Sequence, residues 1–195
     1  PRGIGIDMEN VVFYREWLPL DKKEFRILAM LADFGGEYRG NLADMCRYFS
    51  VSPQHKNREA LREAIQRLTD ERYIESSADG RTYSLRVIPK EEKIVLSKEW
   101  FERVQAHEYS AESVSWEAVI KTLLWLIAHD PEATVTNQQI ADELGVSVSV
   151  VVSAKNVLEK DFEAIAKRYI AEKLDEDIFV RLGQQIELNA WWKTK

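Results

Sequence analysis

The sequence predicts a mainly α-helical chain with small β-hairpins, an α+β fold arranged as two similar domains in tandem. Three observations predict this fold. Apolar residues recur at helical spacing in several segments. An Asp79-Gly80 pair lies between two alternating runs, which is the strongest short-range signal of a β-hairpin. The order of helices in the first ninety residues then recurs after residue 115.

The first domain begins with a strand and a capped helix. β-branched and aromatic residues at 11–14 predict a short strand that can complete a small sheet. Asp21 can cap the following helix, with Glu24 three residues later as its reciprocal partner. This helix ends at the Gly35-Gly36 pair.

Two more helices and a hairpin complete the first domain. The second helix can start from Asn41, and Ser52 caps the third helix with Pro53 at its first position. The apolar stripe of the third helix consists of Leu61, Ala64, Ile65 and Leu68. Residues 73–76 and 82–87 form the hairpin. Helix, helix, tight turn, helix and hairpin is the order of a winged helix-turn-helix domain, which we assign to residues 1–90.

Residues 91–114 are assigned to a helical connector, with a strand-like KIVL run and a helix from Ser97. Residues 115–195 repeat the winged-helix order. An apolar helix ends at Asp130, and Thr136 forms a capping box with Gln139 before a turn at Gly145. Ser147 then caps the next helix. We predict a strand over 178–188, whereas the spacing at 164–174 fits either a helix or a wing strand.

The stretch QQIADELGVS, residues 138–147, resembles the helix-turn-helix of bacterial winged-helix proteins, where Ala and Gly at these places let two helices cross closely. The tandem arrangement resembles the replication initiators of bacterial plasmids and phages, and the phage and Gram-positive replisome-organiser proteins. This resemblance implies origin or operator binding without catalysis. The sequence departs from it in charge, since residues 1–90 are net +1 and residues 91–195 are net −7. That acidity argues against DNA contact by both domains.

The third helix and its hairpin carry the candidate DNA-binding residues. A helix in the major groove needs long donors near its amino end, because Gln and Asn read adenine and Arg and Lys read guanine or bind phosphate. The candidates are Gln54, His55, Lys56, Asn57, Arg58 and Arg62 on the helix, with Arg72 and Arg81 beside the hairpin. The alternative interpretation is that these are solvated residues pairing with Glu59 and Glu63 at helical spacing.

The equivalent helix of the second domain has no charge and no long donor in its SVSVVVSA start, so direct base readout is not expected. Lys155 and Asn156 leave a DNA role open. We expect a protein interface instead. Its candidate residues are Val148, Val151, Val152, Trp191 and Trp192. The two tryptophans either pack against the connector or form a dimer contact.

Other classes of protein are not expected. The longest uncharged apolar stretch, residues 122–128, is much shorter than the roughly 20 residues that span a bilayer, so no membrane partner is expected. No histidine lies in a metal-binding motif, no phosphate-binding loop occurs, and the apolar neighbours of Cys46 favour an inert thiol. We therefore expect no enzymatic activity, cofactor or metal. We expect a cytoplasmic bacterial protein associated with a nucleoid or plasmid, and a start at Pro1 that reflects a processed or shortened chain.

The favoured function is sequence-specific binding of double-stranded DNA, in replication initiation or organisation of a plasmid or phage-like element, led by the first winged helix. One alternative is an acidic tandem winged-helix scaffold for protein interactions, as in chromosome-condensation accessory proteins. A transcriptional regulator is another. Besides DNA, the expected partners are a second copy of the chain, giving a dimer, or a replication or chromosome protein bound through the second domain.

Overall fold

A computed structural model describes residues 9–109, 114–176 and 178–189 of the chain. Within these residues the fold is α+β, with seven α-helices and small antiparallel sheets. In chain order the elements are β1 (Asn10–Tyr14), α1 (Lys22–Asp33), β2 (Glu37–Gly40), α2 (Leu42–Tyr48), α3 (His55–Asp70), β3 (Ile74–Asp79), β4 (Thr82–Val87), β5 (Lys93–Ser97), α4 (Lys98–Ala106), α5 (Trp116–Ala128), α6 (Asn137–Leu144), α7 (Val148–Lys160), β6 (Ile165–Asp175) and β7 (Ile178–Leu188). They form two compact units. Residues 21–92 make the first, and residues 9–20 join the described residues from 93 onward in the second.

The first unit is built around α1 and α3. Asp21 caps α1 as predicted, accepting the backbone N–H of Glu24 at 2.8 Å. The Glu24 carboxylate is buried, and Arg67 of α3 donates its Nε–H to it at 2.7 Å. The predicted apolar stripe of α3 is buried along its whole length. Burial of that stripe leaves the polar side chains of α3 facing water.

The segment between α2 and α3 is longer than predicted. α3 begins at His55 with Gln54 at its N-cap position, so the prediction that Ser52 caps this helix is wrong. Pro53 favours extended backbone at the residue before it. The Ser52 carbonyl also accepts the side-chain amide of Asn57 at 2.8 Å. Both effects keep Ser52 outside the helix.

β4 is the central strand of a three-stranded antiparallel sheet in the order β2-β4-β3. Asp79 pairs with Thr82, so Gly80 and Arg81 form the two-residue turn of the predicted hairpin. The third strand is β2, which the sequence analysis does not predict. The expectation that residues 11–14 complete this sheet is wrong, because β1 pairs with β5 in the second unit.

The second unit repeats this order with α5, α6, α7 and the β6-β7 hairpin. An isolated bridge between Val135 and Gln184 lies where β2 lies in the first unit. β6 is a strand over the region that the sequence left open, and the predicted strand at 178–188 is confirmed. The segment assigned to a connector supplies β5 and α4, and the Phe101 ring of α4 lies 5.8 Å from that of Phe13.

The turn between α6 and α7 requires glycine. Gly145 has a φ of 64° and donates its N–H to the Ala141 carbonyl, which ends α6 as predicted. A Cβ atom at this position would lie 2.9 Å from the carbonyl oxygen of Pro19. The predicted capping box of Thr136 and the predicted cap of α7 by Ser147 are also present. Backbone conformation and available space therefore both favour glycine here.

Gly145→Ala should lower the free energy of unfolding by about 2 to 3 kcal/mol. About 1 to 2 kcal/mol comes from the left-handed backbone, and the rest comes from the contact with the Pro19 carbonyl. Gly80→Ala is the matched control, since its φ is 61° but no atom lies within 4 Å of the Cβ position. Urea unfolding followed by circular dichroism measures both losses. Equal losses would show that the Pro19 contact has no effect.

Candidate nucleic-acid interface

The amino-terminal half of α3 presents the polar side chains that the sequence predicts. Gln54, His55, Lys56, Arg58 and Arg62 are all exposed. They lie outside the buried stripe, which packs on α1. The first turn of α3 therefore offers long hydrogen-bond donors to solvent.

The β3-β4 hairpin adds Arg81 to this surface. Arg58 and Arg62 lie one helical turn apart on α3, and both line a cavity of about 300 Å³ together with Arg81. Arg81 reaches the cavity because the hairpin turn brings Gly80 and Arg81 beside α3 and the start of α2. The remaining lining residues are Asn41, Leu42, Ala43, Gly80 and Tyr83. Three arginines thus converge on one concave site.

The positive charge of this cavity is only partly neutralised. Arg62 forms an ion pair with Glu59, which lies three residues earlier on α3. Among the described residues, no hydrogen-bond or ion-pair partner holds Arg58 or Arg81. A guanidinium group has five N–H donors and no acceptor, and its planar fork matches the oxygens of a phosphate. The cavity is therefore suited to a phosphate group.

The structure does not bring every candidate to the cavity. Arg72 follows the carboxyl end of α3, at the opposite end of β3 from Arg81, and the length of that strand separates them by about 17 Å. Asn57 uses its side-chain amide on the Ser52 carbonyl. We use the term basic surface for the candidates that remain exposed at the amino-terminal half of α3 and at the hairpin turn. These are Gln54, His55, Lys56, Arg58, Arg62 and Arg81.

Sequence reasoning missed Asn41 and Tyr83 as members of this site. The Asn41 side chain is occupied as the cap of α2, where it accepts the N–H of Asp44 at 2.7 Å. Tyr83 is half-buried in β4. No sequence signal marks Tyr83, because it meets the cavity only after the hairpin has folded back toward α3.

In the second unit α7 occupies the place of α3, and its chemistry differs. Val151 is fully buried, so the prediction that it is an exposed interface residue is wrong. The helical repeat of α7 places it in the core stripe. Val148 is half-buried and Val152 is 38% exposed. Trp191 and Trp192, the other predicted interface residues, lie outside the described residues.

Lys155 of α7 is buried, so it is not available for the DNA role that the sequence left open. Its ammonium group donates to the Asn137 Oδ1 atom at 2.5 Å and to the Gln184 Oε1 atom. Both acceptors are neutral amides. Burial, and then the positive charge of Lys167, lower the pKa of Lys155 to about 8. Lys155 therefore joins α6, α7 and β7 inside the unit at an electrostatic cost.

Comparisons with known proteins do not identify a family for this chain. No protein-family model matches the chain, and no curated protein matches it. No described helix is long and apolar enough to cross a membrane. Within the described ranges, no group of three or more His, Cys, Asp or Glu side chains is arranged to hold a metal ion.

Between pH 7 and pH 9.5 the free energy of unfolding of the wild-type protein should increase relative to that of the Lys155→Met variant. The pKa of Lys155 is about 8 in the folded state. In the unfolded state the side chain is in water and its pKa has the ordinary value of 10.5, so above pH 8 the unfolded state binds more protons than the folded state. The relative gain should reach about 2 kcal/mol at pH 9.5. Urea unfolding of both proteins across this pH range measures it.

Lys160→Met provides the control for that experiment. It removes an exposed charge from the same helix and keeps Lys155, so the wild-type rise should remain. Parallel pH profiles for the wild-type protein and Lys155→Met would contradict the assignment of the rise to this buried ammonium group.

Proposed function

We propose that the chain binds double-stranded DNA through α3 and the β3-β4 hairpin, and that both units are winged helix-turn-helix domains. The observation that carries this proposal is the convergence of Arg58, Arg62 and Arg81 on one cavity beside an exposed helix. The element order supports the proposed fold, because two helices joined by a short segment and followed by a hairpin are the order in which a winged helix would use α3 as its recognition helix. The second unit has the same order.

The two parts of the basic surface would have different tasks on DNA. An α-helix is about 10–12 Å across and the major groove is about 12 Å wide, so α3 fits into the groove. Gln54 and Lys56 lie at its amino end, where their side chains are long enough to reach base edges. The arginines surround a cavity, which is the geometry for a backbone phosphate. The residues at the start of α3 would therefore recognise the base sequence, and the arginines would supply affinity by binding phosphates.

The local cluster also allows an acidic chain to bind DNA. The whole chain has a net charge of −6, yet residues 1–90 are net +1. Charges on a protein surface are screened over about 8 Å at physiological salt. A phosphate in the cavity therefore interacts mainly with the three arginines that line it.

The second unit is proposed to bind a partner instead of reading bases. The exposed start of α7 offers only Ser and Val side chains, and Lys155 is buried. The net charge of −7 on residues 91–195 repels phosphates. The same acidity supports the alternative function, a tandem winged-helix scaffold that binds other proteins.

Among DNA-binding functions, we propose replication initiation or organisation for a plasmid or phage-like element. The support is the resemblance carried by residues 138–147 and by the tandem order of the domains. A transcriptional regulator would use the same contacts. Footprinting on DNA of the host element separates the two, since an initiator protects repeated sites within one origin and a regulator protects a promoter.

Arg58→Ala and Arg81→Ala should each weaken DNA binding by about 1 to 2 kcal/mol, because each variant loses a charged contact to a phosphate. The loss should be similar for host-element and random duplexes. Arg72→Ala is the matched control, since it removes an exposed arginine about 17 Å from the turn. Its affinity should stay within about twofold of the wild-type value. Fluorescence anisotropy at one fixed low salt concentration gives all four affinities.

Two results would count against the basic surface. An Arg72→Ala loss as large as that of Arg81→Ala would place the contact elsewhere on the unit. Unchanged binding in Arg58→Ala, Arg62→Ala and Arg81→Ala would favour the scaffold function.

The salt dependence of binding should correspond to one engaged unit. The basic surface has four exposed cations, and each phosphate neutralised contributes about −0.9 to the slope of log K against log[salt]. A monomer should therefore give a slope of about −3 to −4, and Arg81→Ala should reduce its magnitude by about 1. The cations are Lys56, Arg58, Arg62 and Arg81. A sedimentation mass must accompany the titration to show that the protein is a monomer. For a monomer, a slope steeper than about −7 would show that both units bind DNA.

A further inference from the structure

The cavity beside α3 has walls on three sides, and this shape limits what can enter it. The start of α2 supplies one wall, α3 supplies Arg58 and Arg62, and the hairpin supplies Gly80, Arg81 and Tyr83. Its volume of about 300 Å³ is at the lower end for pockets that take small molecules. A cavity of this size is suited to one compact group at the end of a chain.

The two kinds of phosphate found in nucleic acids and nucleotides differ in shape and charge. A phosphodiester within a strand has two ester links, two other oxygens and one negative charge. A phosphate monoester has one ester link, three acceptor oxygens and a charge of about −1.5 to −2 at pH 7. Because only one chain leaves a monoester, its phosphate can enter the cavity while that chain extends through the mouth. A diester extends in two directions and would lie across the mouth.

The number of arginines matches the number of oxygens on a monoester. Each guanidinium group has a planar fork of N–H donors that binds two oxygens side by side. Three oxygens form three such pairs, one for each of Arg58, Arg62 and Arg81, whereas a diester offers a single pair. Arg58 and Arg81 have no partner among the described residues, so their forks are available to a ligand. The cavity therefore has more charged donors than a diester can use.

Tyr83 adds a neutral donor to the same site. It lies two residues from the buried Leu85 in β4, so both side chains are on the core face of the sheet. Its neighbours across the strands are Gly40 and Ala78, which are too small to cover its ring. Within the part of the chain that the structure describes, the Tyr83 hydroxyl has no hydrogen-bond partner. This hydroxyl is therefore free to donate to a bound anion.

The charge of the site also matches a dianion. No acidic side chain of the described residues lines the cavity. Glu59 pairs with Arg62 from outside the lining, and Asp44 of α2 pairs with Arg47. Three guanidinium charges and the Glu59 carboxylate leave two positive charges at the cavity. A dianion neutralises both of them, and a diester neutralises one.

We propose that the cavity binds a phosphate monoester dianion, held by Arg58, Arg62 and Arg81 with the Tyr83 hydroxyl as a fourth donor. Two kinds of molecule supply this group, namely the phosphorylated end of a DNA strand and a free nucleotide. The inference rests on the proposed phosphate site, and it narrows the preferred ligand of that site to a terminal phosphate. The backbone of a duplex still meets the same arginines at the mouth of the cavity.

Isothermal titration calorimetry of the full chain tests the ligand class without DNA. The two probes are thymidine monophosphate and its phosphate methyl ester, which keeps the base and the sugar but is a diester. At about pH 7.5 the monoester is mainly a dianion, because its second pKa is about 6. It should bind at least about tenfold more tightly than the methyl ester, since it has one more oxygen and more charge for the arginines. Equal affinities, or no binding of either probe, would overturn the proposal.

Variants of the lining residues test where the monoester binds. Arg81→Ala should weaken thymidine monophosphate binding at least about tenfold, and Tyr83→Phe, which removes only a hydroxyl, should weaken it about threefold. Arg72→Ala is the matched control, since it removes an exposed arginine at the opposite end of β3, and it should leave the affinity unchanged. Urea unfolding checks that each variant is folded. An unchanged affinity in both Arg81→Ala and Tyr83→Phe would place the ligand elsewhere and refute this site.

Three duplexes of one sequence distinguish the two sources of the monoester. One has phosphorylated strand ends, one has hydroxyl ends, and one is closed by loops and has no end. If a strand end is the ligand, the phosphorylated duplex should bind at least about fivefold more tightly than the other two, and Arg81→Ala should reduce that difference. If a free nucleotide is the ligand, the three duplexes should bind alike and thymidine monophosphate should compete with each of them.

This inference and the DNA-binding proposal fail separately. Binding of the closed duplex tests the DNA-binding proposal, because that duplex has no terminal phosphate. Calorimetry with the two thymidine probes tests the cavity alone. A chain that binds the closed duplex and shows no preference for the monoester would overturn only the present inference. A preference for the monoester without binding of any duplex would support the cavity ligand and overturn DNA binding.

Discussion

Burial of the apolar stripe of α3 determines which of its side chains meet water, and the proposed interface depends on that orientation. The Glu24–Arg67 pair holds one flank of the helix against α1 at 2.7 Å. Rotation of α3 would leave a buried carboxylate without its partner, which is strongly unfavourable. On the other flank, Arg58 and Arg62 are four residues apart and project from the same side. The hairpin then completes the cavity with Gly80, Arg81 and Tyr83.

The two units share an order of elements but differ in one core position. The buried stripe of α7 has the same spacing as that of α3, and Lys155 stands where α3 has Ile65. The amides of Asn137 and Gln184 satisfy its ammonium group, so the lysine is part of the interior. Because Lys155 is buried, α7 has one fewer cation on its exposed surface. The similar folds therefore support different surface chemistry.

Local signals in the sequence were sufficient for much of the fold. Helix caps such as Asp21 and Thr136, the Asp79-Gly80 turn and the Gly145 turn are properties of a few neighbouring residues, and all four are present. Long-range pairings were not predictable, because the partner of β1 lies some eighty residues away and β2 has only four residues. The i, i+4 spacing of Arg58 and Arg62 was readable. The burial of Lys155 and the remote position of Arg72 depend on tertiary contacts that periodicity does not contain.

The pairing of β1 with β5 makes the first unit an insertion within the second. Tyr14 lies opposite Lys93, so the chain between them is a closed loop that holds the first unit. Closing a loop of unfolded chain costs entropy that grows with its length. A first unit that is already folded replaces most of that flexible loop with a compact body. Residues 21–92 of this unit precede β5 in the chain, so on the ribosome they can fold before β5 has been made. We therefore expect the basic surface to form first during synthesis, and the pairing of β1 with β5 to form afterwards.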